Sequence, residues 1–229
     1  NAAYAALGLN WRYVPLPVAP ARLIEAVRGL PALGFAGCNV TIPHKEAIMP
    51  LLDRLTPAAT AIGAVNTVTV EADGTLSGHN TDADGFLRAL DEAGVALAGQ
   101  TALLLGAGGA ARAAGYGLLT RRARLLLLAR TAARAVSLAA DMVVAVPGAQ
   151  IEVIGRPPAR ADLIVNCTPL GMWPDIEASP LPAGLRLDAD TTVMDLVYRP
   201  LETRLLQEAA AAGARAVGGL EMLIYQGAA

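Results

Sequence analysis

The sequence predicts an α/β protein in which a small open α/β domain precedes a doubly wound parallel sheet. Beyond residue 99, apolar strand-like runs alternate with helical segments, the pattern of strands covered by helices on both faces. The continuous apolar run from Thr101 to Leu105 is typical of a strand buried on both sides. The first 82 residues differ, because their strands are short, alternate in polarity and end in polar side chains.

Turn and cap residues divide the first part of the chain into short elements. Pro20 near a first turn and Gly29-Leu30-Pro31 at the end delimit one helix, and Ile42-Pro43 stops a strand. Ala72-Asp73-Gly74-Thr75 is a hairpin turn between two alternating strands, and Gly94 closes the helix that follows them. The predicted helices cover residues 3–9, 20–29, 45–55 and 84–93, and the predicted strands cover 11–16, 35–40, 64–71 and 76–79.

The second part of the chain repeats a strand, a turn and a helix, and Gly213 ends its last helix. The predicted strands cover 101–105, 124–129, 150–154, 161–166 and 192–196. One helix is predicted from the turn after the strand 101–105 to residue 119, and two more are predicted over 132–141 and 202–212. We therefore divide the chain into a first domain, 1–82, a connecting helix, 83–98, a second domain, 99–217, and a final segment, 218–229.

Composition excludes several classes of protein. With 229 residues, 54% hydrophobic and 17% charged, the chain can bury a large core and is not disordered. A net charge of −2 argues against nucleic-acid or anionic-membrane partners, and no apolar run is long enough to span a bilayer. Cys38 and Cys167 have no metal-type spacing, so we expect no metal site and interpret both as free thiols in a reducing cytoplasm.

A glycine-rich turn joins the first buried strand of the second domain to its helix. It consists of Gly106, Ala107, Gly108, Gly109 and Ala110. Small residues let the backbone approach a pyrophosphate, and the N–H groups and dipole at the helix N-terminus favour its charge. Many tight turns use glycine for purely structural reasons, but the strand–turn–helix–strand context favours a nucleotide.

The end of the next strand indicates which nucleotide. NAD-selective sites place a carboxylate there for the ribose 2′-hydroxyl, whereas this chain has Ala129, Arg130 and Thr131, with Arg134 one turn later. Guanidinium groups bind phosphate well, so this pattern favours the 2′-phosphate of NADP. The alternative is that these arginines merely face water.

Lys45 is the only lysine among 18 lysines and arginines, and its segment also contains His44. Unlike arginine, lysine can hand over a proton, so a Lys–Asp pair with Asp82 could supply the proton that accompanies hydride transfer to a carbonyl. Further polar residues lie at neighbouring strand ends and suit a polyhydroxylated substrate: Asn39, Thr41, Asn66 and Thr81. Each could instead be a turn residue or a helix cap, above all Asp82.

These motifs, taken in order, resemble the shikimate dehydrogenase family along essentially the whole chain. The substrate-side resemblance lies in residues 37–45, 63–67 and 80–86. The cofactor-side resemblance lies in residues 106–110, 129–131, 166–172 and 195–200, and residues 218–226 resemble the family's closing helix, which returns to the substrate domain.

The resemblance implies a role for each matching residue. Lys45 and Asp82 would be the catalytic pair. Substrate would be bound by Asn39, Thr41, Asn66, Thr81, Tyr198 and Gln226. NADPH would be bound by Gly106, Ala107, Gly108, Gly109, Ala110, Ala129, Arg130, Thr131, Arg134, Thr168, Leu196, Gly219 and Met222, in a Rossmann-type domain.

The implied activity is the NADPH-dependent, reversible reduction of 3-dehydroshikimate to shikimate by a cytoplasmic monomer or homodimer. An NAD-linked quinate/shikimate dehydrogenase and a catalytically silent binding or regulatory protein are the alternatives. Two departures from the family matter. Ala129 replaces the usual asparagine, and the chain begins after the strand and Ser-x-Ser turn that hold the substrate carboxylate. We therefore expect the natural protein to extend beyond both ends of this sequence.

Overall fold

Two antiparallel strands joined by the predicted hairpin turn form the centre of the first sheet. In the computed structural model, which describes residues 1–228, this sheet comprises β1 (Gly37–Asn39), β2 (Arg54–Leu55), β3 (Thr67–Val70) and β4 (Leu76–His79). Their order is β1-β3-β4-β2, and only β2 and β4 run parallel. In this register Asn39 pairs with Thr67 and Thr67 with His79, so polar residues collect at one end of the sheet.

The second sheet is parallel throughout its described strands. These are β5 (Thr101–Leu105), β6 (Arg124–Leu128), β7 (Gln150–Val153), β8 (Leu163–Asn166), β9 (Thr192–Asp195) and β10 (Arg215–Val217). Their spatial order is β10-β9-β8-β5-β6-β7. The chain therefore begins at the centre, moves to one edge and returns to build the other, as in a dinucleotide-binding fold. The carboxyl ends of β5 and β8 meet at the point where this order reverses.

The structure describes three helices before residue 82 and five from residue 82 onward, and the later five cover both faces of the second sheet. The helices are α1 (Ala2–Ala6), α2 (Leu23–Ala32), α3 (Pro57–Ile62), α4 (Asp82–Glu92), α5 (Gly109–Thr120), α6 (Ala132–Ala145), α7 (Arg204–Ala211) and α8 (Gly219–Ala228). Because β5 is fully covered, Leu103 and Leu104 are both inaccessible to solvent although they face opposite sides of the sheet.

Helices α4 and α8 pack closely, and this contact brings the end of the chain back to the first domain. A side chain at Gly85 would lie 2.8 Å from the backbone nitrogen of Gln226 and 2.9 Å from the carbonyl oxygen of Met222. Only glycine permits this approach. The pair therefore holds Asp82, at the start of α4, beside Gln226, near the end of α8. Ala229, the last residue of the predicted final segment, lies outside the described residues.

Several local predictions were wrong. Residues 11–16 form no strand, and Trp11 and Leu16 are exposed. Residues 45–55 form no continuous helix but turns, a 3-10 turn at Met49–Leu51 and the short strand β2. Pro50 cannot donate the hydrogen bond that a continuous helix needs.

Helix α3 was not predicted, although its capping signals are in the sequence. The Thr56 hydroxyl accepts from the Ala59 backbone nitrogen at 3.3 Å, Pro57 occupies the first turn, and Gly63 follows with a φ of 71°. Strand β10 was also missed, because it has only three residues at the edge of the sheet. Across residues 1–228, no helix combines the length and apolar character needed to cross a membrane.

Candidate active site

Lys45 and Asp82 form an ion pair at the boundary between the two sheets. Nζ of Lys45 donates to Oδ2 of Asp82 at 2.6 Å, and their side chains are only 16% and 6% exposed. A buried pair needs further hydrogen bonds to offset its desolvation. Asn66 supplies one by donating from Nδ2 to Oδ1 of Asp82 at 2.9 Å. The Asp82 backbone nitrogen donates to Oδ1 of Asn80 at 3.0 Å, which fixes the start of α4.

Asn66 is the centre of a polar cluster that was predicted to bind substrate. Besides Asp82, its Nδ2 lies 2.9 Å from Oγ1 of Thr81 and 3.1 Å from Oε1 of Gln226. Its own Oδ1 accepts from the Thr81 backbone nitrogen at 3.0 Å. An amide nitrogen has two hydrogens, so three acceptors cannot all be fully satisfied. At least one of the three acceptors can therefore accept a hydrogen bond from a hydroxyl group of a ligand.

A second line of polar groups runs from this cluster to the end of β1. Thr67 donates to Oδ1 of Asn66 at 3.1 Å, Asn39 donates to Oγ1 of Thr67 at 3.3 Å, and the Tyr13 hydroxyl donates to Oδ1 of Asn39 at 3.2 Å. The sequence did not single out Tyr13, because its segment resembled a strand. Partial burial, and secondarily the Tyr4 phenol, raises the pKa of Tyr13. It therefore stays a neutral donor at neutral pH.

The predicted substrate residues are brought together only in part. Asn66, Thr81 and Gln226 lie around Asp82, and Asn39 reaches them through Thr67. Thr41 and Tyr198 are exposed, and no hydrogen bond to this cluster joins either side chain within the described chain.

The glycine-rich turn lies directly against Lys45 of the ion pair. A side chain at Gly109 would approach Cβ of Lys45 to 2.9 Å, whereas one at Gly108 would meet nothing within 4 Å. Gly108 is the N-cap of α5 and has no side chain to satisfy the free N–H groups there. The turn therefore leaves open space beside unpaired backbone donors, which fits a pyrophosphate. Gly106 has a φ of 108°, which favours glycine.

The arginines predicted to bind a 2′-phosphate lie at the carboxyl end of β6. Arg130, Thr131 and Arg134 are all exposed, and the Ala129 side chain packs against the core. Arg134 donates from Nη2 to Oε1 of Glu46 at 2.7 Å. Arg112 of α5 also contacts Glu46, so two arginines on neighbouring helices meet one carboxylate in the turn that follows Lys45.

The remaining predicted cofactor residues surround a buried network at the ends of β8 and β9. Asp195 accepts from Nδ2 of Asn166 at 2.8 Å and from the Thr203 hydroxyl at 2.6 Å, and all three residues are inaccessible to solvent. The hydroxyl of Thr168 donates to Oδ1 of Asn166 at 2.7 Å. A side chain at Gly219 would lie 2.6 Å from the carbonyl oxygen of Leu196. This network fixes the two loops that carry Thr168 and Leu196, with α8 and Met222 against them.

Burial raises the pKa of Asp195 and of both cysteines, of which Cys167 lies beside this network and Cys38 lies on β1. It raises the pKa of Asp195, although hydrogen bonds from Thr203, Val197 and Asn166 oppose the change. Burial, with the charge of Asp195, also raises the pKa of the Cys167 thiol, and burial raises that of Cys38. Neither cysteine is therefore an activated nucleophile. Among residues 1–228, no group of three or more His, Cys, Asp or Glu side chains could hold a metal ion.

Sequence reasoning missed Asn80, Asp195, Thr203, Glu46 and Arg112 as individual residues of the site. Asp195 ends a buried strand, and a carboxylate in that position indicates a buried polar network, so the sequence did contain a signal for it. Glu46 and Arg112 carried no such signal, since a charged residue in a turn or helix usually faces water.

Comparison with known proteins identifies the family of this chain. The family model for the shikimate dehydrogenase substrate binding domain matches residues 1–68. The NADP(+) shikimate dehydrogenase of Moorella thermoacetica is 50% identical over 236 residues, which cover 100% of this chain and 79% of the relative. A crystal structure of a shikimate dehydrogenase in complex with NADP+ has a TM-score of 0.90 at 40% identity, over 99% of this chain and 80% of that one. The Thermus thermophilus enzyme in complex with NADP(H) and shikimate has a TM-score of 0.78 at 42% identity, over 99% and 82% of the two chains. The chain belongs to the shikimate dehydrogenase family.

Proposed function

We propose that this protein is an NADP-dependent shikimate dehydrogenase that reversibly reduces 3-dehydroshikimate to shikimate in the shikimate pathway. The observation that carries the proposal is the position of Lys45. Its Nζ is bound to Asp82, and its aliphatic stem lies against Gly109 of the glycine-rich turn. A proton-transfer group and a nucleotide-binding turn thus meet at one residue. Curated relatives that match the whole chain carry the same activity in their names.

The chain's own residues supply proton transfer and orientation. When bound, NADPH supplies the hydride, and the glycine-rich turn and Arg130, Thr131 and Arg134 would hold its phosphates. Lys45 and Asp82 act as one unit that gives a proton to the carbonyl oxygen on reduction and takes it back on oxidation. Because the pair is buried, its charges are little screened by solvent, which strengthens its interaction with the reacting oxygen.

The polar cluster would orient the substrate ring. Asn66, Thr81 and Gln226 offer both donors and acceptors around Asp82, which suits neighbouring hydroxyl groups. Asn39, Thr41 and Tyr198 would complete the pocket from β1 and from the loop after β9. Residues 1–82 would therefore bind substrate and residues 99–217 the cofactor. The segments 83–98 and 218–229 would join them.

Two alternatives are less well supported. An NAD-linked quinate/shikimate dehydrogenase would be expected to have a carboxylate where this chain has Arg130 and Thr131. A catalytically silent protein would have no need of the intact, buried Lys45–Asp82 pair. We place the protein in the cytoplasm, where free thiols such as Cys38 and Cys167 persist, as a monomer or homodimer.

Absorbance at 340 nm tests the proposal directly. Shikimate with NADP+ should produce a steady increase, and quinate or NAD+ should give slower rates. Activity with quinate and NAD+ above that with shikimate and NADP+ would favour the first alternative. No activity with any pair would favour the second.

A further inference from the structure

Glu46 links the substrate-side loop to two arginines of the cofactor side. It follows Lys45 directly in the chain, and its two carboxylate oxygens contact different partners. Oε1 lies 2.7 Å from Nη2 of Arg134, and Oε2 lies 3.3 Å from Nε of Arg112. Arg112 also contacts Oδ2 of Asp141 at 2.8 Å. One acidic side chain therefore bridges α5 and α6 next to the catalytic lysine.

The two arginines differ in their freedom to change partner. The Arg112 side chain is 10% exposed and contacts two carboxylates, so it has little freedom to leave Glu46. The Arg134 side chain is 57% exposed, and among the described residues Glu46 is its one ion-pair partner. Rotation of an exposed arginine side chain costs little, so Arg134 can move to another anion while Glu46 stays on Arg112.

We propose that Glu46 is a specificity-determining residue that limits the preference for NADP by competing with the 2′-phosphate for Arg134. This inference rests on the proposed function, in which Arg134 helps to bind that phosphate. A guanidinium held by a carboxylate must lose this partner before it can bind a phosphate. NAD has a hydroxyl group in place of that phosphate, so this competition does not affect the binding of NAD.

The test is direct binding of NADP+ and NAD+ to the full chain by calorimetry. Glu46→Gln keeps the size of the side chain and removes its charge. We expect NADP+ to bind about two- to fivefold more tightly to this variant, the scale of one exposed ion pair, with NAD+ little changed. The gain should shrink at high salt, because the pair is partly exposed. Asp141→Asn is the matched control, since Arg112 is its one ion-pair partner in residues 1–228 and it lies about 10 Å along α6 from Arg134. It should leave the ratio of the two affinities unchanged.

Arg134→Ala distinguishes failure of the inference about Glu46 from failure of the proposed cofactor placement. If this variant weakens NADP+ and NAD+ equally, Arg134 does not bind the 2′-phosphate and the proposed cofactor placement fails. If it weakens NADP+ selectively, the inference requires that Glu46→Gln has no further effect on NADP+ when added to Arg134→Ala. Weaker NADP+ binding by Glu46→Gln, or an equal change for both cofactors, would overturn the inference and leave Glu46 as an interdomain contact only.

Discussion

Lys45 Nζ lies 2.6 Å from Oδ2 of Asp82, although the two residues are 37 positions apart and belong to different elements. The contact exists because the loop after β1 and the start of α4 meet at the same end of the first sheet. Asn66 donates to Asp82 on one side of the ion pair, and Gly109 of the glycine-rich turn lies against Lys45 on the other. The proposed proton transfer and cofactor binding therefore depend on one side chain, Lys45.

Replacement of Lys45 should abolish turnover while NADP+ binding is kept. We expect Lys45→Ala to lower kcat by about 10²- to 10⁴-fold, the usual contribution of a general acid–base group. Lys45→Arg keeps the charge but does not release a proton readily, so it should be nearly as inactive. Steady-state rates and calorimetric NADP+ affinity measure the two effects. A rate close to wild type in Lys45→Arg would show that only the positive charge matters.

Asp82→Asn should also be inactive and still fold. Asp82 is the first residue of α4, but its carboxylate is bound to Lys45 and Asn66 and does not cap the helix. Loss of the buried pair should lower the free energy of unfolding by about 1–3 kcal/mol. Urea unfolding and kcat are the measurements. Asp84→Asn is the control, because Asp84 is an exposed acid in the same first turn. Full activity of Asp82→Asn would mean that the carboxylate has only a structural role.

Replacing Arg130 and Arg134 together by alanine should narrow the preference for NADPH over NADH. Charge-assisted hydrogen bonds contribute roughly 1.5–3 kcal/mol each, so loss of one such bond from each arginine should weaken NADPH binding about a hundredfold. NADH binding should change much less. Arg124→Ala is a suitable control, since Arg124 is an exposed arginine at the opposite end of β6 and pairs with Glu152. Equal losses for both cofactors would show that neither arginine binds the 2′-phosphate.

The buried carboxylate of Asp195 should make stability depend on pH in the acidic range. Its pKa is raised in the folded state by burial, so the folded protein binds this proton more tightly than the unfolded chain does. The stabilising contribution of the proton is complete below the ordinary pKa of 3.8 and is lost as pH rises through the higher folded pKa.

Asp195→Asn removes this titration while it keeps the size of the side chain. Urea unfolding in a series of buffers from pH 3.8 upwards should show a stability that falls less with rising pH in the variant than in the wild type. Identical pH profiles for the two proteins would rule out a raised pKa at Asp195.

Local patterns in the sequence were enough to predict the parallel sheet and most of the polar residues of the site. The apolar run at Thr101–Leu105 and the glycine-rich turn after it confirm this, because burial on both faces and a tight turn each impose a local composition. The doubly wound order of the second sheet follows from the same alternation of strands and helices. Lys45 was singled out by chemistry alone, as the one lysine in an arginine-rich chain.

Only the tertiary structure decided which of these residues meet. Residues 11–16 alternate in polarity like a strand, but they form none and lie exposed. Alternation shows only that a strand is possible, since a strand also needs a neighbouring strand to pair with. Glu46 and Arg134 are 88 positions apart, and neither has a local pattern that indicates the other. Likewise, Asn66 and Gln226 are 160 positions apart and meet because α8 packs on α4 at Gly85. Contacts between such distant residues depend on how whole elements pack, and that information is absent from any short stretch of sequence.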